Sequence, residues 1–547
     1  LATVEFTLTD LNNLLGQQLT AQQAADSCAL LGIPLEKAEE DNIVLEINPN
    51  RPDWLCVEGI ARSLSSFLSL KPGLREYPIA GPKIEATVEP SFVKARPYAS
   101  AFIARNVKLT DQFLADMMQL QEKLCDTLGR RRRKISMGAY DLSKLMPPFT
   151  YTARAPKDLS FVPLEMTESL TLEQILEKHP KGKMYAPILR EFAEYPVILD
   201  ARNEVLCLIP VTNGESSKLV AGTTCDLFIE VNGTSKASVD DCVAILYAQL
   251  IDRGATIEQV GFKGAISQVE PVARKRQFKV TAEAVKKLLG IALTPAEIAA
   301  NLEKMGFGAK VDAASQSVTA TVPVYRNDIM AECDLVEDAG IGYGYPNIIG
   351  REPPFATTGA KNPTEAFADR LRELLIGLGF QDCVTFTLTN EATHYGRMNA
   401  KAPVHVEIGN PLTNETTMVR TDLLPSMLSV LEANKDQKYP QRLSEVGDVV
   451  AIDAQSNQGC STRKRLCAVI ASKNAGLSEI KAATEALLKE LGFEYSLEAV
   501  GEPFYIPTRC ARVVGKKVNG HFGEIHPQVL ENFNLGMPVA SLELWFD

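Results

Sequence analysis

The sequence predicts an α+β chain of several domains, in which two related small α/β modules flank a mixed α+β domain and a further strand-and-helix domain follows. Three observations predict this: a set of landmarks that recurs in order, a β-rich stretch between the two copies, and a Pro/Gly-rich segment after the second. The 547 residues leave room for about three to five domains at the usual domain size.

The first copy opens with a strand over residues 4–9 and a helical turn over 10–16. Thr20-Ala21-Gln22-Gln23 is a capping box, in which the Thr hydroxyl and the Gln amide satisfy backbone groups left over at a helix start. The helix turns Ala24, Ala25, Cys28 and Leu31 inward and stops at Gly32. The second copy repeats the plan with a strand over 278–281, a helix over 282–290 and the capping box Thr294-Pro295-Ala296-Glu297, Pro standing at the first helical position. From Gly16 and from Gly290 the capping Thr lies four residues on, and from each Thr the terminal Gly lies twelve on. Further along, Asn50-Arg51-Pro52-Asp53 precedes a helix with Glu58-Gly59-Ile60-Ala61, and Tyr325-Arg326-Asn327-Asp328 precedes one with Glu337-Asp338-Ala339-Gly340. These echoes predict a duplicated module, with the N-terminal copy at 1–84 and the second at 270–350.

Between the copies, residues 85–265 are rich in Val, Ile, Phe and Thr and read as a mixed α+β domain. Pro180, Gly182 and Pro187 read as loop markers, and His179 is expected at the surface. Val243, Leu246, Leu250 and Ile251 share one face of a helix over 239–254. Gly350, Pro353, Pro354, Gly359 and Pro363 form a linker, and the amphipathic helix beyond it carries Phe367, Leu371, Leu374, Leu375 and Leu378. The last domain is expected over 355–547.

Composition narrows the function classes. A net charge of −11 argues against a protein that coats nucleic acid by charge alone, and no basic recognition helix suggests a DNA-binding protein. One basic run, Arg130 to Lys134, reads either as a solvated loop or helix end or as a contact to RNA phosphates. The 11 cysteines form no C-x-x-C pair, which fits a reducing compartment and a cytoplasmic protein. No apolar run is long enough to span a membrane and no signal peptide is evident; the chain opens on Leu1 rather than Met, so its start reads as processed or trimmed.

Two groups of residues are candidates for chemistry. Asp334, Glu337 and Asp338 share a helix face, and Asp328 stands just before that helix. Such carboxylates repel one another unless solvated, protonated or bound to a cation, and all-oxygen donors suit Mg²⁺. A solvated acidic face and partial neutralisation by Arg326 are the plainer readings. In the middle domain, a strand ends in the polar turn Thr212-Asn213-Gly214, and a second alternates Leu227, Ile229 and Val231 with Glu230 on the other face before an Asn232-Gly233 turn and Thr234. They read as two ordinary hairpins or as the lining of a small pocket. No P-loop, zinc or dinucleotide-binding signature is present.

Several blocks together resemble one family, the phenylalanyl-tRNA synthetase β subunit of the archaeal/eukaryotic cytosolic type. Asn48-Pro49-Asn50-Arg51-Pro52-Asp53 resembles its opening module, and Arg326 through Asp328, Asp334-Leu335-Val336-Glu337-Asp338 and Tyr343-Gly344-Tyr345 its second. Asn410-Pro411, Val419-Arg420-Thr421, Leu423-Leu424-Pro425, Arg442 to Asp448 and Gly523-Glu524-Ile525-His526-Pro527 resemble its last domain. The resemblance implies a catalytically inactive class II synthetase-like antiparallel-sheet domain and an (αβ)₂ heterotetramer whose α subunit uses ATP to activate phenylalanine. It implies tRNA(Phe) as partner, with neither membrane nor DNA, and Mg²⁺ at Asp328, Asp334, Glu337 and Asp338. It also implies that residues 85–265 edit tyrosine mischarged on that tRNA, with Glu230 facing the tyrosine hydroxyl and Asn213 and Thr234 near the ester or its attacking water. This chain departs from the family's editing blocks at Ala139-Tyr140, at Asn232 and Ser235, and at Cys207. The alternative is a non-catalytic RNA- or protein-binding scaffold derived from this subunit.

Overall fold

Short-range chemistry sets the first elements. The Thr7 hydroxyl accepts from the Asp10 amide, which starts the helix Leu8–Leu15, and Gly16 ends it at a φ of 69°. Both predicted capping boxes are formed, at Thr20 and at Thr294. They open the helices Ala21–Leu30 and Pro295–Lys304, and Gly32 and Gly306 follow at a φ of 85° each, the left-handed conformation that glycine adopts without penalty.

The structure, a computed structural model, describes all residues except 1, 40, 267–275, 354, 356 and 547. Pro354 and the predicted module start at 270 lie outside the described residues. The chain divides into two compact units, Leu1–Glu352 and Pro353–Asp547, and the division falls inside the Pro/Gly-rich segment.

In the first unit the same small sheet occurs twice. Ala2–Thr7, Asn42–Ile47 and Leu35–Glu39 pair antiparallel in that order, and so do Gln277–Thr281, Ser317–Thr321 and Gly308–Asp312. Between them in sequence lies a nine-stranded sheet, ordered Thr212–Asn213, Val205–Leu208, Tyr195–Leu199, Phe149–Arg154, Ile79–Val88, Thr256–Gly264, Tyr98–Leu109, Thr223–Gly233 and Ile135–Asp141. It is antiparallel except where Ile79–Val88 runs parallel to both neighbours.

Alternation along the strands gives this sheet two buried faces. Leu227, Ile229 and Val231 pack with Phe113, Met117 and Leu120 of the helix Asp111–Asp126 and with Val243, Leu246 and Leu250 of the helix Lys236–Asp252. That core is continuous with both small modules. Phe228 points to the opposite face, against Tyr140, Phe149 and Tyr151.

The structure corrects three local expectations. Pro180, Gly182 and Pro187 lie in the helix Pro180–Leu189 rather than in loops: Pro180 occupies a first-turn position, where a missing N–H costs nothing. His179 is 5% exposed, not a surface residue, because its ring reaches the Leu164 carbonyl at 3.2 Å. The strand through Glu230 does not turn at Asn232-Gly233 but runs on to Gly233, since both neighbouring strands continue to pair with it. The basic run is an exposed turn beyond the helix Asp111–Asp126: Arg130, Arg131 and Arg132 have φ of 47°, 53° and 62°, and Arg130, Arg131 and Arg133 are exposed.

The second unit is a seven-stranded sheet ordered Gln381–Asp382, Gln441–Ile452, Cys460–Ala471, Val539–Phe546, Val518–Ile525, Tyr505–Val514 and Ser496–Glu498. Only its first pair is parallel. Leu466, Ala468 and Ile470 face the helices Pro363–Gly377 and Leu477–Leu491, whereas Cys467, Val469 and Ala471 face Leu424–Ala433 and Pro527–Asn532. No helix among the described residues is long and apolar enough to cross a membrane, and all 11 cysteines are free.

The first unit is tied together by a buried cation. Arg62, on the helix Val57–Phe67, donates to the Asp252 carboxylate at 2.7 Å and lies 4.0 Å from the Tyr325 ring centroid. Removing one partner of a buried pair strands the other charge, at a cost of about 3–5 kcal/mol. Arg62→Met is therefore expected to lower the stability of the first unit by about that amount in chemical denaturation, and Arg62→Met/Asp252→Leu to recover most of the loss.

Candidate functional site

Glu230 sits in the middle of its strand, opposite Ala101 on one side and Gly138 on the other. Alternation puts it on the Phe228 face, as the sequence predicts, and it is 2% exposed. The Asn232 amide donates to Glu230 Oε2 at 2.7 Å, and Asn232 Oδ1 accepts from Ser136 Oγ at 2.9 Å. Burial pushes the Glu230 carboxyl up from 4.5 to about 8, against the opposing pull of Asn232, the Arg96 charge and a Tyr140 hydrogen bond. Glu230 is thus largely protonated at neutral pH.

Tyr140 fills the space beside it. Its ring stacks on Phe228, which in turn stacks on Phe149 with centroids 4.2 Å apart. Its hydroxyl donates to Asn213 Oδ1 at 3.3 Å and also meets Glu230. Gly138 makes this possible, because a Cβ there would stand 2.2 Å from the Tyr140 hydroxyl. The phenol of Tyr140 therefore meets Glu230, where the resemblance places the tyrosine hydroxyl, and also takes up Asn213, which the resemblance places near the ester or its attacking water. Burial also pushes up the Cys207 thiol, and the Tyr151 hydroxyl is buried with no partner.

Glu230 and Asn213 are brought to one hydroxyl; Thr234 is not. It is exposed at the end of the strand, where its backbone N–H donates to the Lys134 carbonyl at 2.8 Å and its hydroxyl to the Arg133 carbonyl at 3.3 Å. At ~3.3 Å per residue, it stands about 13 Å along the strand from Glu230. A cavity of about 410 Å³ opens beside Asn213, lined also by Thr212, Arg132, Met137 and His179.

The arginine turn borders this cavity and is pinned from below. Buried Arg96 donates to the Arg132 and Arg133 carbonyls at 3.0 and 3.3 Å. Arg132 turns inward, donating to the Pro210 and Val211 carbonyls at 2.9 and 3.0 Å, just before Asn213. Arg130, Arg131 and Arg133 stay exposed. Sequence reasoning found the Arg run and Glu230; it missed Asn232, Ser136 and Arg96, whose roles come only from strand pairing across the sheet.

The acidic group of the second module is arranged differently from its predicted convergence. Arg326 donates to both Asp328 oxygens at 2.7 and 2.6 Å and to both Asp338 oxygens at 3.2 and 2.7 Å. Burial pushes the Asp328 carboxyl up, but Arg326 more than offsets this and leaves it below its ordinary range. At Asp338 burial wins over the same guanidinium and the carboxyl is raised; burial and Asp338 together raise Glu337. Asp334 Oδ2 accepts from the Met330 and Ala331 amides at 2.7 and 2.8 Å, capping its own helix. Glu337 is exposed. Among the described residues, no group of three or more His, Cys, Asp or Glu side chains is placed to hold a metal ion. The donor set therefore does not fit a chelated Mg²⁺: Asp328 and Asp338 are spent on Arg326 and Asp334 on backbone amides, which leaves Glu337 as a single exposed carboxylate. The first module repeats the fork, with Arg51 donating to both Asp53 oxygens at 2.8 Å, and both forks wall a single cavity of about 370 Å³.

The chain is that of an aminoacyl-tRNA synthetase subunit. Residues 278–345 match the tRNA synthetase B5 domain, and residues 349–546 the phenylalanyl tRNA synthetase beta chain CLM domain. The chain is similar to the phenylalanine–tRNA ligase beta subunit of Archaeoglobus fulgidus, at 39% identity over 94% of this chain and 93% of that one. It is similar to the Methanosphaera stadtmanae subunit of the same name, at 36% identity over 99% of each. A crystal structure of an N-terminal fragment of the phenylalanyl-tRNA synthetase beta subunit from Pyrococcus horikoshii aligns with a TM-score of 0.60 at 30% identity, covering 62% of this chain and 99% of the fragment. The chain belongs to the phenylalanine–tRNA ligase β-subunit family.

Two outcomes are expected from this geometry. Below about pH 4.5 Glu230 is protonated folded and unfolded alike; above it the unfolded chain releases the proton first, so stability falls as pH rises to about 8. At ~1.4 kcal/mol per pH unit the loss is on the order of 5 kcal/mol. Denaturation midpoints measured at both ends of that window should converge in Glu230→Gln. Arg326→Gln should lower stability by about 3–5 kcal/mol by leaving two buried carboxylates unpaired, whereas millimolar MgCl₂ should leave the unfolding of the unaltered chain unchanged.

Proposed function

We propose that this chain is the non-activating β subunit of a cytoplasmic (αβ)₂ phenylalanine–tRNA ligase, and that its middle domain hydrolyses tyrosine from mischarged tRNA(Phe). In this reading the partner α subunit binds ATP, Mg²⁺ and phenylalanine. Residues 1–84 and 270–350 are the paired modules, 85–265 the editing domain, and 355–547 a class II synthetase-like domain without activation chemistry of its own.

One observation carries the editing reading: a phenol is already held at Glu230 and Asn213, and it belongs to Tyr140. Tyrosine differs from phenylalanine by one hydroxyl, which an apolar pocket rejects poorly and a polar one selects strongly. A protonated Glu230, braced by Asn232 and Ser136, can both give and take a hydrogen bond with such a hydroxyl. Withdrawal of the Tyr140 ring opens the slot beside Phe228 to the tyrosyl group of the substrate. Water then adds to the aminoacyl ester: its oxygen stays on the carbonyl carbon of tyrosine, the ester C–O bond breaks, and the ribose oxygen leaves as a hydroxyl. Thr234 takes no part, given its place on the surface.

The test is release of tyrosine from Tyr-tRNA(Phe) by the chain assembled with its α subunit. Glu230→Ala is expected to lower kcat/KM about 3–10-fold, the value of a hydrogen bond between neutral groups. Tyr140→Ala is expected to raise hydrolysis by emptying the slot. No release by either the unaltered chain or Tyr140→Ala, in an assembled complex that still charges phenylalanine, would refute editing and leave a scaffold.

A further inference from the structure

The second unit contains a cavity of about 280 Å³ that none of the functions above uses. Arg465 and Trp545, cross-strand partners on Cys460–Ala471 and Val539–Phe546, form one wall, and the guanidinium lies 4.6 Å from the indole centroid. Arg465 spends a single nitrogen on the protein: Nη1 donates to Asp422 Oδ1 at 2.5 Å and to Glu543 Oε1 at 3.2 Å. Glu543 is fixed from the other side, accepting from the Leu423 and Leu424 amides at 2.9 and 3.0 Å at the start of the helix Leu424–Ala433. The side-on pair Nε and Nη2, the edge that Arg51 and Arg326 each turn on an aspartate, donates to nothing among the described residues. Neither nitrogen is among the buried polar atoms left without a partner, so this edge faces open space.

A second group is unspent. His394 lines the same cavity at 1% exposure; its Nε2 meets Thr421 Oγ1 at 3.1 Å, and its Nδ1 is buried with no partner among the described residues. Met398, Leu424, Pro425 and Phe504 supply apolar walls, and the exposed Lys401 stands at the rim.

We infer that this cavity binds a small monocarboxylate with an aromatic or apolar body, its carboxylate taken side-on by Arg465. A planar fork and a carboxylate match in geometry and form two parallel charge-assisted hydrogen bonds. The volume falls just below the roughly 300–1,000 Å³ common for ligand pockets, which suits a body no larger than an amino acid. Phosphate is disfavoured: Asp422, Glu502 and Glu543 already surround the fork, and a dianion would meet their repulsion at twice the charge of a monocarboxylate, which Arg465 and Lys401 offset only in part.

Trp54 and Trp545 are the only two tryptophans, so ¹⁹F NMR of the full chain labelled with 5-fluorotryptophan reports on the cavity directly. The probes are 3-phenylpropionate and its neutral amide, 3-phenylpropionamide. The Trp545 resonance, identified by its loss in Trp545→Phe, is expected to shift with an affinity at least about tenfold higher for the carboxylate, while Trp54 stays in place. Arg465→Gln should reduce the carboxylate to the level of the amide. Because Arg465 also serves two carboxylates, Ala400→Phe gives a second arm: it fills the cavity without altering a charge and should abolish the shift. Equal affinity for carboxylate and amide, an unmoved Trp545 resonance at tens of millimolar probe, or a shift that survives Ala400→Phe would each overturn the proposal.

Discussion

The first unit depends on one buried guanidinium. Arg62 is 2% exposed and joins three stretches far apart in sequence: its own helix, Asp252 at the end of the helix Lys236–Asp252, and the ring of Tyr325 just before the acidic group. Nearby, Arg253 donates to Glu58 and Asp10 at 2.6–2.8 Å and binds the same helix to the first module a second time. That helix follows directly on the strand that carries Glu230. The rigidity of the candidate editing strand is thus inherited from the duplicated modules, and the core they share has no seam at which the middle domain would come away alone.

Two carboxylate environments in one unit show how position decides chemistry. Glu230 and Asp328 are both shielded from water, yet the first titrates high and the second low. The difference is a neighbour. Asp328 is met by two donors of one guanidinium, whereas Glu230 has a neutral amide, a phenol and only the more distant charge of Arg96. A neutral carboxyl can recognise a hydroxyl; an ion pair of that kind holds two strands of chain in register and has little left for a ligand.

What was legible in the sequence was what neighbouring residues decide among themselves. The capping boxes at Thr20 and Thr294, the glycines that end their helices and the facing of Glu230 away from Leu227 and Ile229 all follow from spacing. The acidic group was read correctly as one helix face and wrongly as a convergence, because its partner Arg326 satisfies two of its members from outside the helix and Asp334 turns back on its own amides. Tyr140 was visible only as a departure from a motif; that its hydroxyl reaches Asn213 requires Gly138 beside it and a strand pairing that no local pattern encodes. The pocket under Arg465 was invisible for the same reason, its walls coming from residues between His394 and Trp545.

The arginine turn carries a last consequence. Three successive residues in a left-handed backbone would be comfortable for glycine or for a chain of the opposite chirality, and each L-side chain there costs roughly 1–2 kcal/mol. Arg96 and the carbonyls of Pro210 and Val211 supply the restraint that holds such a turn closed. Charge and backbone ease are therefore opposed at this site. A glycine-rich redesign of residues 130–132 would relax the main chain and at the same time remove three cations, Arg132 of the cavity beside Asn213 among them, so thermal robustness and electrostatic attraction for a polyanion cannot be improved there together.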